Sequence, residues 1–442
     1  MSTYSTGEQS VSSANSFMGL GVPVHLPSLA SPNGADSPFL PIPHHAKAID
    51  MPGITDIPPE RQGVDFGGVS YFKYISNDNE ALLKAVLVLQ LSPLASRTGA
   101  NPRYVDDIAL AAIEYVDFSF AGNLLQRLHG DELHFRMLQE LDGNELERRK
   151  KLQAMGLGDA ERAALAGDIQ FVYCELPFFW TEEPSAAWQQ YGFQRITNVV
   201  VHYRPFQYLV QHNAEATDSS FPVPANGNPT YIMAQWLRFH TVTLSESTKQ
   251  LYLREVEAQG PNGWLSMITD FERITEYSLA EAARHAAGPH RQTHSVLLNT
   301  FSKYGWNIRY WIRPIANLRP DAHNNNRWAT VPVLSDRLDI SGRKFQPELE
   351  TFYKRWMIDA AEFKGNPPPD VHINNIPLTE FPMVKNQGMG GIDFSNTANP
   401  LLIIHTAPLA EPCHLDIYLY CRNYVRQVVR GNQSAAEAVQ PI

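Results

Sequence analysis

The chain has 442 residues, 43% of them hydrophobic, which is enough for large buried cores and excludes wholesale disorder. Its 36 Lys and Arg against 46 Asp and Glu give a net charge of −10, and so acidic a surface is poorly suited to coating nucleic acid. The three cysteines, Cys174, Cys413 and Cys421, lack metal-binding spacing and favour a reducing compartment.

Residues 1–60 are rich in Ser, Pro, Gly and Ala and carry few charges. The prolines between Pro23 and Pro59 exclude a long helix, so we predict an extended arm and not a domain. The arm is expected either to remain a floppy tail or to become ordered on a partner. We expect no secretion signal, and no apolar run is long enough to span a membrane.

Short runs of β-branched and apolar residues begin at Val69 and predict strands along both halves of the chain. Residues Ile108–Phe120 form a longer apolar stretch that alternates from Ile113, with a phase slip that a bulge would absorb. The other predicted strands are Lys84–Leu91, Ile169–Leu176, Ile196–Tyr203, Phe206–Val210, Tyr231–Val242, Ser295–Phe301, Ile308–Pro314, Trp328–Leu334, Leu338–Ile340, Leu401–Thr406 and His414–Tyr424.

Three segments have helical spacing instead. Apolar residues recur at intervals of three and four over Glu132–Met155, and we also predict helices over Thr243–Glu257 and Thr275–Ala287. The Gly-Pro-Asn-Gly run at residues 260–263 is the predicted connection between two domains. The basic tetrad Arg148–Lys151 is interpreted as a solvated helix face.

A short pattern occurs once in each half of the chain. Residues 118–126 and 338–346 share this pattern. In both, an alternating strand is followed by a small residue, a glycine, two variable residues, an apolar residue and Gln. Gly122 and Gly342 occupy matching positions. This repeat predicts two similar domains in tandem. Uneven Pro/Gly loops between short strands are typical of antiparallel sandwiches. The predicted division is 1–60 arm, 61–245 first sandwich, 246–434 second sandwich and 435–442 tail.

The sequence contains no phosphate-binding loop, zinc-protease motif or nucleophile elbow. A break at Gly288-Pro289 separates His285 from His290 and His294, so we predict a solvent-exposed turn here and no metal site. Adjacent acids such as Asp106-Asp107 would diverge on a strand, which is unsuited to two carboxylates acting on one bond. We therefore predict no catalytic, cofactor-binding or metal-binding residues, no cofactor, and no enzyme.

Several segments resemble one viral protein family when taken in order. Four segments are similar, in the same order, to segments of the major capsid proteins of nucleocytoplasmic large DNA viruses. They are the run from Asn101 to Gly122, the sequence Leu-Pro-Phe-Phe-Trp ending at Trp180, the stretch 376–396 and the closing strand 418–432. The family's usual opening segment is reduced here to something like 71–74, and its usual closing tail is replaced after Gly431. The chain resembles a diverged member or paralogue of the iridovirus and phycodnavirus type.

The resemblance implies two tandem eight-stranded antiparallel jelly rolls with helices inserted in loops. It further implies a homotrimer of pseudo-hexameric outline that contacts neighbouring capsomers and minor capsid or penton proteins. These capsomers would tile an icosahedral shell around a membrane-enclosed DNA genome. The N-terminal arm would lie near the inner viral membrane, no direct contact with nucleic acid is expected, and the protein would reside in the virion after assembly in the host cytoplasm.

Two alternatives stay open at this stage. A transient scaffolding protein or a minor capsid paralogue could have the same fold. A carbohydrate-active or carbohydrate-binding protein could also be built on two sandwiches, and clustered carboxylates and aromatics in one groove would favour that interpretation.

Overall fold

The structure is a computed structural model that describes residues 51–75, 80–96, 100–181, 188–189, 196–213, 220–244, 264–280, 291–323, 326–355, 363, 365, 367–368, 370–379, 391–430 and 433–439. Several expectations fall outside these residues: the arm up to residue 50, the helix over 245–257 and the connection at 260–263. His285 and His290 also lie outside them.

Strands account for most of the described chain. In the first half they are β1 (Met51–Ile57), β2 (Val69–Ile75), β3 (Glu80–Leu91), β4 (Leu94–Ala95), β5 (Ala100–Tyr104), β6 (Ile113–Phe120), β7 (Asn123–His129), β8 (Gln170–Leu176), β9 (Trp188–Gln189), β10 (Ile196–Tyr203), β11 (Val210–Asn213), β12 (Val223–Pro224) and β13 (Ile232–Thr243). In the second half they are β14 (Trp264–Leu279), β15 (Gln292–Leu297), β16 (Tyr304–Pro314), β17 (Val333–Ile340), β18 (Arg343–Glu350), β19 (Asn374–Pro377), β20 (Ile392–Asp393), β21 (Leu401–Thr406), β22 (Cys413–Arg430) and β23 (Gln433–Val439).

Each half of the chain forms a sandwich, and the two sandwiches share one strand order. In the first, one sheet runs β1-β13-β3-β8 and the other runs β2-β10-β6-β7. In the second, the matching sheets run β14-β22-β16-β19 and β15-β21-β17-β18. All these pairings are antiparallel. The short strand β9 adds to the first of these sheets, and β20 and β23 add to the third. In each half the eight principal strands, four to a sheet and mostly paired with partners distant in sequence, form a jelly roll, which confirms the predicted fold class.

The turns that follow the repeated sequence pattern are equivalent in the two jelly rolls. Ala121 and Gly122 join β6 to β7 with φ values of 49° and 86°, and Ser341 and Gly342 join β17 to β18 with φ values of 52° and 75°. Positive φ at both central residues defines the type I′ hairpin, whose twist matches that of the flanking strands. The repeated sequence pattern around Gly122 and Gly342 therefore corresponds to the same hairpin in each jelly roll.

The helices lie between strands and not in a separate layer. Within the described ranges they are α1 (Ile108–Ala111), α2 (Gly130–Glu140), α3 (Gly143–Gln153), α4 (Asp159–Leu165) and α5 (Thr351–Tyr353). The predicted helix over Glu132–Met155 is thus two helices. The carboxylate of Asp142 caps the second one by accepting from the Glu145 amide at 2.9 Å. None of the helices in the described ranges is long and apolar enough to cross a membrane.

The predicted helix over Thr275–Ala287 is wrong for its described part. Residues up to Leu279 continue β14, which pairs with β22 from Trp264 opposite Gln427 to Leu279 opposite Cys413. This long antiparallel ladder supplies the segment with backbone hydrogen bonds to β22, and that outweighs its local helical spacing.

Two predicted strands also begin later than expected. Phe206–Tyr208 form a single 3₁₀ turn after Pro205, and β11 starts at Val210. Proline fixes φ and lacks an N–H group, which suits a turn better than the centre of a strand. In the second half β17 starts at Val333. Of the preceding residues, Trp328 packs in the core of the first jelly roll, whereas Val331 packs against the core of the second.

Both ends of the described chain extend the sheets. Met51–Ile57, inside the segment assigned to the arm, forms β1 and pairs with β13 along its whole length. Residues 433–439, which overlap the predicted tail, form β23 and pair with the end of β22. The expected arm and tail therefore contribute strands at these positions.

Candidate functional site

Helix α2 lies between the two jelly rolls and is buried although it is rich in charge. Every residue from Gly130 to Gln139 is buried, including Asp131, Glu132 and Arg136. Helices that are buried all round are normally apolar, and a buried charge is tolerated only when it is paired and hydrogen-bonded. The partners of these side chains define the junction between the jelly rolls, which we call the polar junction.

Gly130 sets how closely α2 approaches the first jelly roll. A Cβ atom at this position would lie 2.2 Å from the carbonyl oxygen of Ile113 and 2.6 Å from that of Leu110. Real Cβ atoms do not approach backbone oxygens so closely, so only glycine lets the helix begin here. The first turn of α2 is thereby fixed against the backbone of α1 and β6.

Aromatic rings attach the other side of α2 to the second jelly roll. Phe135 packs on Trp311 at 4.3 Å between ring centroids, and His134 stacks on Trp328 at 3.7 Å with a 10° interplanar angle. The His134 ring also contacts the Asp107 carboxylate at 2.6 Å. Rings held in this way contribute burial and orientation together, so α2 is packed on both sides.

Asp131, in the first turn of α2, is the centre of the charged contacts. Arg204 of the first jelly roll donates to it at 2.8 Å, and Arg313 and Arg327 of the second donate at 3.1 and 2.8 Å. Burial alone would raise the pKa of Asp131, but the three guanidinium groups hold this pKa well below its usual range. The positive end of the helix dipole favours a carboxylate at the same place.

Asp416 of β22 completes this charged cluster. Arg313 donates to it through Nε at 3.0 Å and Nη2 at 2.6 Å, and the Trp311 indole donates at 3.1 Å. Burial lowers the pKa of Arg313, yet the carboxylates of Asp416 and Asp131 together raise it above its usual value. Arg313 therefore bridges a carboxylate of each jelly roll as a permanent cation.

A second group of polar contacts lies further along α2. The Tyr420 hydroxyl donates to Glu132 at 2.7 Å and accepts from Arg309 at 2.6 Å. Arg309 also donates to Glu140 at 3.2 Å and to Asn375 at 3.0 Å. Burial raises the pKa of Tyr420 well above its usual value, so this hydroxyl remains a donor to the carboxylate.

A cavity of about 680 Å³ opens beside the Asp131 cluster. Among the described residues its walls carry five arginines and three carboxylates. The arginines are Arg204, Arg273, Arg313, Arg319 and Arg327, and the carboxylates are Glu114, Asp131 and Asp416. The cavity lies at the ends of β14 and β16 and at the starts of β6 and β22.

The protein shifts the pKa values of its buried ionisable groups in different directions. Asp131 and Asp416 are held by arginines, and the lowered pKa of Asp131 keeps it from donating a proton near neutral pH. Burial raises the pKa of the thiols of Cys174 and Cys421, which makes them poor nucleophiles. Within the described ranges no cluster of three His, Cys, Asp or Glu side chains could hold a metal ion.

The residues examined in the sequence are dispersed in the structure. The Asp107 carboxylate contacts the His134 ring, whereas the Asp106 carboxylate accepts from the Gly156 amide at 2.7 Å. The two side chains of this acid pair therefore point to different partners. His294 contacts the Thr406 hydroxyl at 3.1 Å. Sequence analysis missed the polar junction because its members are spread from residue 131 to residue 420. The available signal was charge inside apolar strands, as at Arg313 and Asp416.

Solved structures of viral capsid proteins share this architecture. The PBCV-1 virus capsid has a TM-score of 0.63 and 12% identity, covering 88% of this chain and 97% of that chain. The Faustovirus major capsid protein has a TM-score of 0.64 and 12% identity, covering 88% of this chain and 92% of that chain. The mavirus major capsid protein has a TM-score of 0.51 and 9% identity, covering 87% of this chain and 90% of that chain. The sequence matches no family model and no curated protein. At these identities the likeness is one of fold, and at that level the predicted resemblance to double jelly-roll capsid proteins is confirmed.

Proposed function

We propose that this protein is a structural subunit of a viral capsid, not an enzyme, and that it assembles as a trimer. The observation that carries the proposal is a pair of jelly rolls with one strand order, fixed to each other by the polar junction. Three copies around a threefold axis would present six similar units, and such a ring packs in a nearly hexagonal lattice. The double jelly-roll proteins described above are named as capsid proteins.

The exposed edge of the second jelly roll supports head-to-tail assembly. In the first jelly roll β7 leads into α2, which is buried against the second jelly roll. The equivalent strand β18 is largely exposed, and Phe352 and Tyr353 beyond it are 77% and 48% exposed. Repeating the internal contact between chains would cover this edge with the first jelly roll of the next copy, which is how a heterologous interface closes into a ring.

The proposal extends to the setting of the subunit. Capsomers would contact one another and minor or penton proteins in an icosahedral shell, around a membrane-enclosed DNA genome, after assembly in the host cytoplasm. Residues 1–50 would run along the inner base of the capsomer, near the membrane, while β1 stays in the sheet. Deleting residues 1–50 should leave trimers folded and impair shell assembly; normal shells would refute this role for the arm.

The abundance of the protein in particles separates the main shell subunit from the alternatives. Quantitative mass spectrometry of purified mature virions should find it as the most abundant shell protein. A few copies per particle would indicate a minor paralogue, and its presence only in immature particles would indicate a scaffold. Binding to a glycan array together with a monomeric state would favour the carbohydrate-binding alternative.

A further inference from the structure

We propose that the cavity beside the polar junction binds a small anion carrying several phosphate groups. Among the described residues, the walls hold five arginines against three carboxylates, which leaves a surplus of two positive charges when the histidines are neutral. Guanidinium groups pair with phosphate oxygens through two parallel hydrogen bonds. A partly enclosed cationic cavity therefore has the right chemistry for a polyphosphate, and this inference goes beyond the structural role proposed above.

Two of the arginines are positioned to meet a ligand. Arg204, Arg313 and Arg327 are already bound to Asp131 or Asp416. Arg319 is exposed and has no hydrogen-bonding partner among the described residues, and Arg273 is exposed and contacts only the His129 ring within that set, at 3.2 Å. The inner arginines thus supply fixed positive potential, and the outer two have donors available for phosphate oxygens.

Neighbouring arginines contribute, after burial, to the pKa shifts of two groups in the cavity wall. Burial, followed by the nearby Arg327, lowers the pKa of Arg204 to about 10. Burial, and then Arg273, lower the pKa of His129 to about 3, so this ring is neutral near pH 7. An anion would relieve the repulsion among these groups.

The size of the cavity fits a small molecule. Ligand pockets commonly enclose roughly 300–1,000 Å³, and this one has about 680 Å³. A single orthophosphate would fill little of that space, whereas a chain of phosphates could reach from the outer arginines toward the buried ones. Free polyphosphate and the phosphate chain of a nucleotide share this chemistry, so both belong in the test.

Isothermal titration of the purified full chain with sodium tripolyphosphate tests the proposal. We expect saturable binding at about one site per chain, with orthophosphate binding more weakly. The double variant Arg273→Ser with Arg319→Ser should weaken binding about tenfold or more, because charge-assisted hydrogen bonds are removed. Both side chains are exposed, so the fold should survive, and the thermal midpoint without ligand checks this.

Arg343→Ser removes an exposed arginine from the β17–β18 hairpin, away from the cavity, and should leave the affinity unchanged. A nucleoside triphosphate that binds no better than tripolyphosphate would identify the phosphate chain as the recognised part. The proposal is overturned if tripolyphosphate gives no saturable binding, or if the double variant binds as tightly as the wild type. Neither result bears on the capsid role, since the titration measures ligand binding and not assembly.

Discussion

A single carboxylate connects three parts of the chain. Asp131 accepts from an arginine that follows β10 and from two arginines of the second jelly roll. Because these arginines lie up to about two hundred residues away in sequence, the contact forms only when both jelly rolls are folded and docked. The charge of Asp131 is therefore a determinant of how the jelly rolls sit against each other.

Replacing this carboxylate should be costly. Asp131→Asn leaves buried arginines without a counter-charge, and we expect a loss of about 3–5 kcal/mol in unfolding free energy. Urea denaturation followed by fluorescence measures the loss. Asp56→Asn is the matched control, because Asp56 pairs with Arg238 at the surface and an exposed pair contributes only about 0–1 kcal/mol. Equal midpoints for the two variants would contradict the role assigned to Asp131.

A buried histidine should make the protein sensitive to mild acid. The folded-state pKa of His129 is about 3, below the value of about 6.5 for an unfolded chain. The unfolded state therefore takes up a proton first as the pH falls, and stability is lost below pH 6.5 at about 1.4 kcal/mol per pH unit.

The variant His129→Asn removes this proton uptake. Urea midpoints measured from pH 7.5 to pH 5 should fall steeply for the wild-type chain. They should fall less steeply for the variant, because its unfolding no longer includes the uptake of about one proton by this side chain. Parallel curves for the two proteins would show that His129 is not the group responsible.

At the scale of elements, the two type I′ turns are the features that link sequence to fold most directly. Nothing lies within 4 Å of a Cβ added at Gly122 or Gly342, so a substitution there meets only the backbone penalty of positive φ. We expect Gly122→Ala and Gly342→Ala each to cost about 1 kcal/mol. Gly143→Ala is the control: it also has open space but no positive φ, and it should be neutral or slightly stabilising. If the control lowers the thermal midpoint as much as the turn variants do, positive φ is not the cause of their lower stability.

The sequence predicted most strands, since alternation and turn residues act locally. Ile196–Tyr203 and Leu401–Thr406 were placed with the bounds that the structure has. The failures have non-local causes. Thr275–Leu279 has helical spacing but belongs to the ladder with β22. The predicted strand at 414–424 is buried on both faces, because Leu415 and Tyr420 lie in different cores.

The polar junction could not have been predicted, because periodicity does not say which elements of separate domains will meet. Glu132 begins the helix predicted over Glu132–Met155, and the spacing of that segment does not indicate that Glu132 is buried. The burial of the charged residues on α2 depends on β16 and β22, which lie some 170 or more residues further along the chain. Only the docked pair of jelly rolls gives these side chains their partners.

At the scale of the whole molecule, the exposed edge of the second jelly roll is expected to form the contact between copies. Phe352→Asp would place a charge where the proposed interface buries an aromatic ring. We expect this variant to shift the protein from trimer to monomer while the circular dichroism spectrum stays unchanged. Phe352→Leu keeps an apolar side chain and should remain trimeric. A trimeric Phe352→Asp would place the interface elsewhere.

The central claim is that two equivalent jelly rolls, locked together within one chain, form a capsomer with copies of themselves. Mass photometry of the purified protein at nanomolar concentration tests this most directly. With a chain mass of 49.7 kDa, the account predicts one dominant species at three times that mass, since an obligate oligomer with a large interface stays associated on dilution. A stable, folded species at 49.7 kDa as the main component would contradict it.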